Sequence, residues 1–151
     1  MYVLYKTNMK TQPQIKQIGI WLDHSQAYFF HPDERKEEME SVDSQIVGNE
    51  RERGHGADGI RLGGYRSTNN EHHKHQREQN ELHIYYKELI HQLHDYDEIY
   101  LFGSGTARNE LYNLMKEDAH FKAKKIHVAA ADHLSENQMR EQVNNYFSIK
   151  E

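Results

Sequence analysis

The stretch that leaves this chain least freedom is EIYLFGSGTARNELYNLMK, Glu98 to Lys116. Ile99-Tyr100-Leu101-Phe102 is an unbroken apolar run of the kind found in strands covered on both faces. Gly103-Ser104-Gly105 interrupts it. Thr106 then stands where it would cap a helix whose inner face is Ala107, Leu111, Leu114 and Met115. A covered strand, a glycine turn and an amphipathic helix in succession indicate an α/β sheet.

The rest of the chain supplies partners for that strand. Residues 1–14 hold one apolar cluster, Tyr2-Val3-Leu4-Tyr5, before a polar stretch with Pro13. They read either as an extra edge strand or as a frayed extension, since Met9 also marks a natural start position. Ile15 to Leu22 reads as a first strand, rich in β-branched and aromatic residues. Asp23 to Gln26 supplies turn formers, and Ala27 to Phe30 returns as the second arm of a hairpin. Met39 to Val47 alternates as a third strand, so the chain opens with a β-meander.

A long helix is expected from Asn70 to Asp95, with Leu82, Tyr86, Leu89 and Leu93 at i, i+4, i+7 and i+11 as its single core stripe. Its first turns, EHHKHQREQ, carry no such stripe and should project into solvent. Lys124 to Ala131 reads as a buried strand. Ser135-Glu136-Asn137-Gln138 is a capping box for a last helix, with Met139, Val143, Tyr146 and Phe147 on its buried face. The expected fold is one α/β domain over residues 15–148: a mixed five-stranded sheet flanked by helices, in the order βββ-α-β-α-β-α. That order is the one found in ribonuclease-H-like folds.

Residues 48–70, GNERERGHGADGIRLGGYRSTNN, are different in kind. Gly54, Gly56, Gly59, Gly63 and Gly64 crowd a stretch with almost no apolar residue. A loop this long is uncommon in a compact domain unless it is functional or disordered. Arg51, Arg53, Arg61 and Arg66 make it locally basic although the whole chain carries a formal charge of −5. With Lys74 and Arg77 downstream and Tyr65 between, Arg61 and Arg66 form a basic stretch interleaved with one aromatic. Such a stretch suits phosphate contact and base stacking on RNA.

Composition removes other classes. Cysteine is absent, so disulfide frameworks, thiolate metal sites and cysteine nucleophiles are excluded. No apolar run approaches the roughly 20 residues of a bilayer span. The first residues lack the basic-then-apolar pattern of a secretory signal. The expected location is therefore cytoplasmic, with no membrane partner. A mean hydropathy of −1.05 fits a compact core carrying a long polar insertion.

Three motifs together resemble a known family. They are the hairpin IGIWLDHSQAYFF, the pair Gly63-Gly64 leading into a long basic helix, and YLFGSGTARNELYNLM with Val128 and Asp132 ahead of the last helix. Over residues 15–147 the chain resembles the middle domain of archaeal and eukaryotic class-one peptide release factors and of the ribosome-rescue protein Pelota, a group with scattered bacterial relatives. In release factors the equivalent loop carries Gly-Gly-Gln, whose glutamine helps to position water against the peptidyl-tRNA ester. Here Tyr65 follows the two glycines, and tyrosine cannot present that amide. The resemblance implies a ribosome- or tRNA-associated translation factor acting in rescue, hibernation or surveillance. It would bind RNA through Arg61, Gly63, Gly64, Tyr65, Arg66, Lys74 and Arg77 without hydrolysis, with partner proteins supplying the family's missing domains. Alternatives are a peptidyl-tRNA hydrolase using backbone groups near Gly63-Gly64, a metal-dependent nuclease using Asp23 and Asp132, or a protein–protein adaptor.

Other candidate chemistry is thinner. His72 and His75 share a helix face and His73 does not, and no carboxylate stands at a spacing that completes a metal set with them. Gly103-Ser104-Gly105 before a helix offers backbone N–H groups to an anion, but it lacks the lysine of a P-loop and the third glycine of a dinucleotide fingerprint. A tight strand-to-helix turn explains it. No catalytic residue, metal ligand or cofactor is assigned from sequence.

Overall fold

The computed structural model describes residues 14–32, 39–45 and 67–148. Strands β1 (Gln17–Leu22), β2 (Gln26–Phe30) and β3 (Glu40–Asp43) form the expected antiparallel meander. Helix α1 (Ser67–Leu93) leads to β4 (Glu98–Gly103), and helix α2 (Ala107–Glu117) follows it. A single 3₁₀ turn (Ala119–Phe121), strand β5 (Lys125–Ala130) and helix α3 (Glu136–Ser148) complete the order. The protein is α/β, with a five-stranded mixed sheet ordered β3-β2-β1-β4-β5. β1 pairs with β4 in parallel, and β4 with β5 in parallel.

Alternation along the strands divides the core into two layers, because successive side chains leave a strand on opposite faces. Ile18, Ile20 and Leu22 of β1 join Ile99 and Leu101 of β4 on one face, which α1 and α2 cover. Trp21, Tyr100 and Phe102 point to the other face, where Met139, Val143 and Phe147 of α3 pack on them. All six residues of β4 are buried, as an apolar run in a central parallel strand requires.

α3 approaches the sheet closely at one point. A Cβ on Gly19 would lie 2.3 Å from Val143 Cγ2, so the glycine makes room for the valine. Beside it, the Tyr146 ring stacks on Tyr100 at 4.3 Å and on His127 of β5 at 5.1 Å. The α3 capping box forms as expected: the Ser135 N–H donates to Gln138 Oε1 (2.9 Å), and the Gln138 N–H donates to Ser135 Oγ (3.3 Å).

Several boundaries and roles differ from the sequence reading. β1 begins at Gln17, leaving Ile15 63% exposed, because the parallel register with β4 opens at Gln17–Glu98. The third strand ends at Asp43 rather than Val47; residues 46 and 47 lie outside the described residues. α1 already begins at Ser67, within the expected loop 48–70, and stops at Leu93, where the Tyr96 N–H bonds back to the Leu93 carbonyl at 3.2 Å. Its buried stripe is Tyr86, Leu89 and Leu93 with Leu82 half-buried, and it widens to Tyr85.

The strand expected to be buried over Lys124–Ala131 is instead an edge strand, with no fully buried residue. It has one strand neighbour, so solvent reaches its outer side although its sequence, KIHVAA, is mostly apolar. Thr106 precedes α2 but makes no side-chain cap. Its hydroxyl donates instead to Glu110 Oε1 at 3.0 Å.

Candidate nucleic-acid interface

The first turns of α1 extend beyond the sheet, and residues 70 to 77 are all exposed. Nothing apolar recurs there, so no face of the helix is drawn into the core. Asn70, His73, Lys74 and Arg77 lie together on one exposed surface. Their spacing of i, i+3, i+4 and i+7 places them on one face of the helix. The first turn carries no acidic residue, leaving the positive end of the helix dipole unopposed from within that turn. Lys74 Nζ lies 3.9 Å from Glu78 Oε1 one turn on, an exposed pair of small energetic weight.

Of the residues expected to bind RNA, Lys74 and Arg77 therefore come together on one surface. Arg61, Gly63, Gly64, Tyr65 and Arg66 lie outside the described residues. Asn70, at the end of the expected loop 48–70, and His73, in the solvent-facing first turns of the helix, belong to the same surface, although charge alone does not single them out. His72 and His75 are exposed on the same helix.

A second polar centre sits where the carboxyl ends of parallel β1 and β4 meet. Asp23 closes the β1–β2 turn: its Oδ1 accepts from the N–H groups of Ser25 (2.7 Å) and Gln26 (2.8 Å). The Tyr85 hydroxyl donates to the Asp23 carbonyl at 3.0 Å. A Cβ on Gly103 would stand 1.9 Å from the Leu22 carbonyl oxygen, so only glycine allows the two strand ends this approach. Arg108 donates to the carbonyls of Gly103 and Gly105, which ties the turn to the first turn of α2. The Gly103–Gly105 turn is thus held through its carbonyls.

Glu110 on α2 collects three contacts at this end of the sheet. Tyr86 OH donates to Oε2 at 2.5 Å, Thr106 Oγ1 donates to Oε1 at 3.0 Å, and His24 Nε2 lies 3.1 Å from Oε2. Partial burial pushes the Glu110 pKa up, but the hydrogen bonds from Tyr86, Thr106 and His24 outweigh it and hold the carboxyl below its ordinary value. Burial pushes the Tyr86 phenol up, and its bond to the Glu110 carboxylate adds to that. His24 and Glu110 are 86 residues apart, and no local spacing announces their pairing.

Asp23 and Asp132 follow β1 and β5, which β4 separates in the sheet. Among the described residues the metal-competent group of three side chains is a different one, His94 with Asp118 and His120. No protein-family model matches the chain, and no curated protein matches it significantly.

Proposed function

We propose that this protein is an RNA-binding, translation-associated factor that engages ribosomal RNA or tRNA through the start of α1 and the basic segment before it. The observation that carries this reading is the gathering of Asn70, His73, Lys74 and Arg77 on one exposed helix face with no apolar stripe to explain it. Two cations, an imidazole and an amide on one helix face suit phosphate and sugar contacts, which supply most of the affinity for RNA. Arg61 and Arg66 immediately upstream extend the same charge in sequence.

The finer assignment, a ribonuclease-H-like domain similar to the middle domain of release factors and Pelota, draws its support from the β-meander opening a mixed sheet and from the element order that follows. Tyr65 in place of the family glutamine favours binding without ester hydrolysis.

Co-sedimentation with ribosomes at two salt concentrations tests the proposal. The wild type should travel with ribosomes or subunits at low salt and dissociate as salt rises. A variant with Arg61, Arg66, Lys74 and Arg77 all changed to alanine should remain at the top of the gradient. The log–log salt slope should fall by roughly 0.7–0.9 for each phosphate contact removed. Wild-type protein that stays at the top at low salt, and does not bind tRNA in a filter assay, would overturn the reading.

A further inference from the structure

The far end of α1, remote in sequence from the basic surface, meets the turn after α2. His94 follows the last residue of α1, and its ring packs against buried Phe121 at 5.3 Å and stacks on His120 at 4.5 Å. Asp118 ends α2 and opens the 3₁₀ turn. Its Oδ1 accepts the His120 N–H at 2.9 Å and lies 2.7 Å from His120 Nδ1, and its Oδ2 lies 3.1 Å from His94 Nε2. One nitrogen of each ring and one carboxylate oxygen all fall within 4.8 Å of one another.

We propose that His94 Nε2, His120 Nδ1 and the Asp118 carboxylate bind one divalent transition-metal ion of the zinc class. The donor set is two imidazoles and one carboxylate, which suits zinc, cobalt, nickel or copper; magnesium and calcium prefer oxygen donors alone. Each imidazole nitrogen already lies 2.7–3.1 Å from the carboxylate. Bond lengths near 2.0–2.2 Å around zinc place neighbouring donors a little over 3 Å apart, so the rings of His94 and His120, stacked at 29° and hydrogen-bonded to Asp118, must turn out of that stack to face one ion.

The donors are held by packing. Phe121, 4% exposed, anchors the 3₁₀ turn in the core. Lys124 donates to the carbonyls of His94 and Tyr96 and so fixes the chain leaving α1. The His120 backbone N–H, donating to Asp118 Oδ1 at 2.9 Å, fixes the carboxylate between the two rings.

The centre is also open. The His120 side chain is 70% exposed and that of Asp118 25%, leaving an ion positions for water or for a partner's donor. His91, one turn back on α1, packs edge-on against His94 at 6.1 Å.

The test is titration of the whole chain with Co²⁺, followed by visible d–d absorption, and with Zn²⁺ by calorimetry in chelator-stripped buffer. The wild type should take up one ion per chain, with a d–d intensity typical of four or five ligands. His120→Ala, Asp118→Asn and His94→Ala should each weaken binding by about tenfold or more. Because the His120 side chain is largely exposed, His120→Ala is expected to keep its circular dichroism spectrum and its melting temperature in chelator. Zn²⁺ should raise the melting temperature of the wild type by mass action and raise that of His120→Ala less at the same concentration. A triple variant with His72, His73 and His75 changed to alanine should bind as the wild type does. Two results would overturn the proposal: no uptake at millimolar Zn²⁺, or uptake that survives His94→Ala and His120→Ala but is lost in the triple variant.

Discussion

The hydroxyl of Tyr86 donates to Glu110 Oε2 at 2.5 Å, joining the core-facing stripe of α1 to the first turns of α2. The two helices cover the same face of the sheet, and this bond sets their relative position at the end where β1 and β4 finish. Tyr86→Phe removes the donor and keeps the ring. It should lower unfolding free energy by about 1 kcal/mol, below the usual range for a bond to a charged group, because Glu110 is partly solvated. Urea denaturation with an unchanged m-value would bear this out.

Glu110 also gives stability a pH dependence of known sign. Its pKa in the folded protein lies below its ordinary value of 4.5, so its contribution is fully present above that value. It is lost as pH falls through the lower folded pKa. Glu110→Gln should therefore flatten the acid limb of the stability curve below about pH 4.5 and leave its shape near neutrality unchanged. Thermal melts from pH 3 to pH 7 would show equal acid limbs in both proteins if the carboxylate contributes nothing.

Gly19 and Val143 should behave as a coupled pair. Gly19→Ala forces a methyl group into the Val143 side chain and should cost about 1–3 kcal/mol by overpacking. Val143→Ala creates a void of its own. The double variant should be more stable than the sum of the two losses predicts, because the new methyl enters the space that the valine leaves. Strict additivity in a double-mutant cycle would show that α3 does not press on β1 at this point.

The α3 capping box is a third local test. Ser135→Ala leaves the Gln138 N–H without its side-chain acceptor and should cost about 1 kcal/mol. Ser135→Asp, which also supplies an oxygen, should restore most of that loss. Equal stability of the alanine variant and the wild type would mean that water serves the helix end as well as serine does.

Patterns confined to neighbouring residues were legible before the fold was known. The apolar run Ile99–Phe102 marked the central strand, and Leu89 and Leu93 marked the core face of α1. Ser135 with Gln138 marked the start of α3. Each follows from a period of two or 3.6 residues, or from a cap that spans three, and these depend on local backbone geometry alone. The same reasoning mistook β5 for a buried strand, since an apolar run looks alike at a sheet's centre and at its edge. It also gave Thr106 a capping role, because a hydroxyl's position in sequence does not disclose that a carboxylate on the next turn will accept its hydrogen bond. Lys74 and Arg77 were found by their charge, and His73 joined them only through its helix spacing.

The amino-acid sequence by itself determined the element types and the faces that must be buried, because those are properties of short windows. Tertiary structure alone decided which distant groups meet. Pairing β1 with β4 carried His24 to Glu110, 86 residues away, and packing the end of α1 against the turn after α2 set His94 beside Asp118 and His120. Such meetings depend on strand order and helix placement. These emerge from the packing of the whole core, and no local pattern encodes them.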